Sequence, residues 1–84
     1  MVEQAEIYYL KGDLDQAMTL LKEGEALCRQ TGLIPFLIKN LIEQSEIRRE
    51  NGEAEVAIEL LKEAMKFAQQ IDNKEFIAEI KKQL

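Results

Sequence analysis

The chain has 84 residues, a net charge of −5, no histidine and a single cysteine, with acidic and basic residues interspersed. That size suits one domain whose core only just offsets the entropy of ordering the chain. The charge disfavours nucleic acid and anionic membrane as partners, because both select a basic face. The lack of histidine removes the commonest general base and metal ligand.

One proline, four glycines and abundant Glu, Leu, Lys, Ala and Gln favour helix, and no segment alternates with period two. Five helices are predicted. The first spans about Val2 to Lys11 and ends at Gly12, where glycine can take the left-handed conformation that closes a helix. The second opens at Asp13 or Asp15, carries Leu14, Ala17, Met18, Leu20, Leu21, Gly24, Leu27 and Cys28 at helical spacing, and stops at Thr31-Gly32. The third opens around Pro35, which a first turn tolerates, and ends at Asn51-Gly52. The fourth runs from about Glu53 to Ile71. The fifth starts at Asp72, with Glu75 at capping-box spacing, and carries the apolar stripe Phe76, Ile77, Ile80 and Leu84. Turns this short make neighbouring helices antiparallel.

The stretch from Glu3 to Glu23, EQAEIYYLKGDLDQAMTLLKE, recurs from Glu43 to Glu63 as EQSEIRRENGEAEVAIELLKE. Ten of the 21 positions are identical, where ordinary usage gives roughly one or two. A repeat of this period predicts an all-α stack of helical hairpins that presents surfaces rather than chemistry. Repeat 1 covers about 1–32, repeat 2 about 33–72, and an extra helix about 73–84 of a single domain.

The pattern resembles the tetratricopeptide repeat family. Small residues Ala5 and Ser45 match the family's first helix, and Gly12-Asp13 and Gly52-Glu53 match its glycine–acid turn. Ala17, Leu21 and Gly24, repeated as Ala57, Leu61 and Ala64, match the small–large–small series of its second helix. Such small residues let two backbones approach, and the leucine fills the space between them. Tyr8 matches the family's aromatic, whereas Arg48 stands in its place in the second copy, to snorkel along a neighbour or pair with an acid. The period of 40 exceeds the family's usual ~34, and is similar to a longer-helix variant in bacterial multidomain regulatory proteins. HEAT and armadillo arrays share the period but lack this turn and series. The resemblance implies a five-helix, right-handed solenoid.

The resemblance also implies a concave groove lined by the first helix of each repeat. Here that means Val2, Glu3, Glu6, Tyr9 and Leu10, with Lys39, Ile42, Glu43, Glu46, Arg49 and Glu50. Its acidic excess would suit a basic or amphipathic peptide or helix. The family's basic carboxylate clamp is not recognisable. The same residues also read as solvated helix faces.

A solenoid end without a polar cap exposes core, so the stripe Phe76, Ile77, Ile80 and Leu84 is a candidate homodimer surface. The competing readings are a monomer in which the fifth helix caps the core, and a piece whose neighbour covers it. Cys28 has no cysteine partner or activating histidine and reads as a packed small hydrophobe. Glu3/Glu6 and Glu43/Glu46 have i, i+3 spacing but lack the histidine that di-metal carboxylate bundles add. No cofactor or metal is expected. No apolar run approaches the ~18 residues a membrane span needs, and the acidic start is not a secretory signal. With a lone cysteine, the cytoplasm is the simplest compartment. The expected function is a non-catalytic protein-interaction or assembly module, the alternative a structural spacer from a longer array.

Overall fold

The computed structural model describes residues 14–84. They form four α-helices and no strand: α1 (Leu14–Thr31), α2 (Ile34–Glu50), α3 (Ala54–Gln70) and α4 (Lys74–Gln83). These are the second to fifth predicted helices. The first, with Tyr8 and the Gly12-Asp13 turn, lies outside the described residues.

The three turns share one construction. After α1, the Leu33 amide donates to the Cys28 carbonyl. After α2, Glu53 N–H reaches Arg48 O at 2.8 Å and Gly52 N–H reaches Arg49 O at 3.1 Å. After α3, Asn73 N–H reaches Ala68 O at 2.9 Å and Asp72 N–H reaches Gln69 O at 3.1 Å. These are Schellman closures, which satisfy the last helix carbonyls by placing one residue in the left-handed region. That residue is Gly32 (φ 72°), Gly52 (φ 80°) and Asp72 (φ 54°), so the closures recur every 20 residues (52 − 32 and 72 − 52). Asp72 therefore closes α3 rather than starting α4. The α4 cap is Asn73, whose side chain accepts from the Phe76 amide at 3.1 Å. The requirement for a left-handed residue displaces the predicted capping position by one.

The buried stripes of α1 and α3 coincide after a shift of 40. Ala17, Leu21, Gly24 and Cys28 become Ala57, Leu61, Ala64 and Ala68. The small–large–small series is thus core in both copies, and Cys28 occupies a small-residue position. The middle helix α2 lies between them and is buried on most of its circumference, with Leu37, Ile38, Asn40, Leu41, Ile42, Gln44, Ser45 and Ile47 all enclosed. Packing is most extensive for α2 on α3, then α1 on α2, then α3 on α4. The main core gathers Cys28, Leu37, Ile38, Leu41, Ile42, Leu61, Ala64, Ala68 and Ile80. A smaller cluster joins Ala17, Leu21 and Ile47.

Alignment of α4 with α2 at the same shift explains why α4 buries so little. Ile80 falls at the position of Asn40, and both are fully enclosed. The positions of Leu41 and Ile42, which are core in α2, carry exposed Lys81 and Lys82 in α4. The fourth helix thus has one apolar edge and a charged outer side.

Candidate interaction surface

On α2, positions 39, 43, 46 and 50 recur at 4, 3 and 4 residues and form one stripe that escapes full burial. Lys39 and Glu50 are exposed, and Glu43 and Glu46 are half-buried. Glu43, Glu46 and Glu50 each engage a polar or charged neighbour within the chain. Arg49 is exposed and its Nη2 donates to the Gln83 carbonyl at 2.9 Å, so a cation from the last turn of α2 neutralises the carbonyl end of α4. Ile42 departs from the predicted groove set. It is 4% exposed and belongs to the main core, because α2 is enclosed by helices on two sides. Glu3, Glu6 and Tyr9, with Val2 and Leu10, lie outside the described residues.

The predicted self-association stripe is mostly turned inward. Ile80 is 0% exposed, and Phe76 and Ile77 pack against the main core. Only Leu84 is open, at 56% exposure. Other open apolar side chains lie elsewhere, with Phe36 at 57% and Leu33, Leu27 and Ile71 also exposed.

Arg48 resolves as an ion pair: its Nη1 lies 2.9 Å from Glu53 Oε2. A second arginine does more connective work. Arg29 on α1 bonds Glu25 one turn back at 2.9 Å and Glu63 on α3 at 2.7 Å, with its guanidinium 5.9 Å from the centroid of the Phe67 ring. Partial burial acts to lower its pKa, but the bonds to Glu25 and Glu63 outweigh it and hold the pKa above the usual arginine range. The group stays charged wherever the fold persists. Beside it, over α3, lies an open depression of about 450 Å³ lined by Glu59, Lys62, Glu63, Lys66, Phe67 and Gln70. Its mixed charges favour neither an anion nor an apolar ligand.

Two buried residues escaped the sequence reading. Asn40 donates through Nδ2 to the Leu21 carbonyl at 2.8 Å. Gln44 donates through Nε2 to Asn40 Oδ1 at 2.6 Å and to Glu25 Oε1 at 2.7 Å. The signal was present: Asn40 and Gln44 follow Leu37 at i+3 and i+7, on the same side as Leu41. A third buried polar residue, Ser45, bonds the Ile42 carbonyl at 2.6 Å, the usual way a serine satisfies its hydroxyl within a helix.

Compared with protein-family models, with curated proteins and with solved structures, the chain matches none. The described residues hold no group of three or more His, Cys, Asp or Glu placed to bind a metal, and none of their helices is long and apolar enough to cross a membrane. The buried Cys28 is a free thiol.

Proposed function

We infer that the chain is a non-catalytic protein-interaction or assembly module, built as a short tetratricopeptide-like solenoid. It receives a basic or amphipathic peptide or helix along the outer stripe of α2. The observation that carries this reading is the division of labour within α2. Most of its circumference is committed to α1 and α3, while the stripe Lys39, Glu43, Glu46 and Glu50 stays reachable and predominantly acidic. Complementary charge along such a stripe sets the partner's orientation and encounter rate more than its affinity. The internal contacts of the three glutamates compete with a ligand and so select one with denser positive charge.

The alternative, a spacer within a longer array, requires α4 to accept a further helix as α2 accepts α3. Lys81 and Lys82, at the positions of Leu41 and Ile42, oppose that packing and favour the module.

The test is fluorescence anisotropy with a labelled helical peptide of alternating lysine and leucine turns. Binding is expected to weaken with added salt, and by about tenfold or more in the Glu43→Lys/Glu46→Lys double variant, since close like charges at a docking surface cost more than 1 kcal/mol. Equal binding by the variant and the parent would remove the acidic-stripe reading.

A further inference from the structure

The two interfaces that flank the α2–α3 pair are built from opposite chemistry. At the first, α1 meets α2 through Leu21, Glu25, Asn40 and Gln44, linked carbonyl to amide to amide to carboxylate. At the second, α3 meets α4, and the 40-residue shift puts Leu61, Met65, Ile80 and Leu84 at the same four positions. Here Ile80 is fully buried and Met65 packs against the main core. A polar set therefore matches a polar set at the first interface, and Ile80 with Met65 forms an apolar match at the second, where Leu84 stays open at the helix end. In other respects α1 and α3 offer α2 and α4 nearly the same surface, since their buried stripes are position-for-position equivalents.

That likeness creates a hazard. Each helix of one kind can dock on either helix of the other kind. Within one chain the short turns forbid the exchange, because Ile71–Asn73 ties α4 beside α3. Between two chains nothing topological forbids it, and exchange of equivalent elements is an easy route to swapped oligomers. We propose that the Glu25–Asn40–Gln44 set is a pairing key that assigns α2 to α1 and excludes exchange of helices with a second copy of this chain. In the exchanged pairing, Gln44 meets the thioether of Met65 instead of the Glu25 carboxylate. Asn40 still finds a backbone carbonyl, that of Leu61, and Gln44 keeps its bond to Asn40, but Gln44 loses the Glu25 carboxylate and is left with one amide N–H unpaired. Unsatisfied buried polar groups penalise the wrong pairing more than the satisfied set stabilises the right one.

The key is testable by moving it. The variant Asn40→Ile/Gln44→Leu/Ile80→Asn/Leu84→Gln exchanges the sets on α2 and α4 while leaving α1 and α3 unchanged, so each helix now matches the wrong neighbour. Adding Glu25→Met/Met65→Glu restores both matches. Each full-length variant is refolded by dilution from urea, and its mass is read by light scattering and its helicity by circular dichroism. The four-site variant is expected to show inter-chain species increased about fivefold or more over the parent, the least that one unsatisfied buried amide implies, or to lose its helicity. The six-site variant is expected to return to the parent's mass and helicity. Most of the altered side chains are buried, so new association in the four-site variant reports on pairing rather than on a changed exterior. A four-site variant indistinguishable from the parent overturns the proposal. So does a six-site variant no better than the four-site one, because a matching rule demands rescue.

Discussion

Asp72 sits at φ 54° in a position that the other two described turns give to glycine. An aspartate tolerates the left-handed region better than most residues, yet its Cβ still approaches the carbonyl oxygen. Asp72→Gly removes that strain at the cost of a more flexible unfolded chain, and is expected to stabilise the fold by about 0.5–1 kcal/mol in urea unfolding. A loss of stability instead would mean that the Asp72 side chain makes a contact worth more than the strain. The converse change, Gly52→Ala, meets no atom within 4 Å of the added Cβ. Its expected cost of about 1 kcal/mol is therefore backbone strain alone.

At the scale of the element, α4 hangs on one side chain. Ile80 is its only fully buried residue, assisted by Phe76, Ile77 and the Arg49 bond to Gln83. Ile80→Ala should cost about 2–5 kcal/mol, as cavities in enclosed sites do, while Leu84→Ala stays within about 0.5 kcal/mol. Paired denaturation curves decide this, and equal losses would show that Leu84 shares the docking. The same contrast marks where sequence reasoning stopped. Helical periodicity put Ile80 and Leu84 on one stripe, but an end residue has fewer turns around it, and only the fold says which is enclosed. The helices were legible because glycine, proline and asparagine punctuate them, and the stripe Ala17-Leu21-Gly24 because small residues at that spacing have one packing use. Asn40 went unread and Ile42 was assigned to the groove for a common reason. A helix clasped on two sides buries positions that a one-sided amphipathic pattern assigns to water, and its polar residues then bond inward.

At the scale of the whole molecule, packing among the described helices is graded along the chain. The α2–α3 contact is the most extensive and α3–α4 the least of the three, and segments with fewer buried contacts open first. Amide hydrogen exchange is expected to be slowest in the centres of α2 and α3 and fastest in α4. Uniform protection over the four described helices would instead indicate that they form a single cooperative unit. Two of the turn amides, Glu53 and Asn73, should exchange with their helix rather than as loop, since each donates to a helix carbonyl at 2.9 Å or less.

The even spacing of Gly32, Gly52 and Asp72 also bears on how such a chain can grow. A second copy of residues 33–72 spliced in after Asp72 would need no new loop, since every junction already falls in a Schellman turn. The copied α2 would nevertheless bring Gln44 to the original α3, where Met65 stands in place of the Glu25 carboxylate and offers no acceptor. Lengthening by duplication thus demands a compensating change at position 65, and a longer relative is expected to carry a carboxylate or amide there.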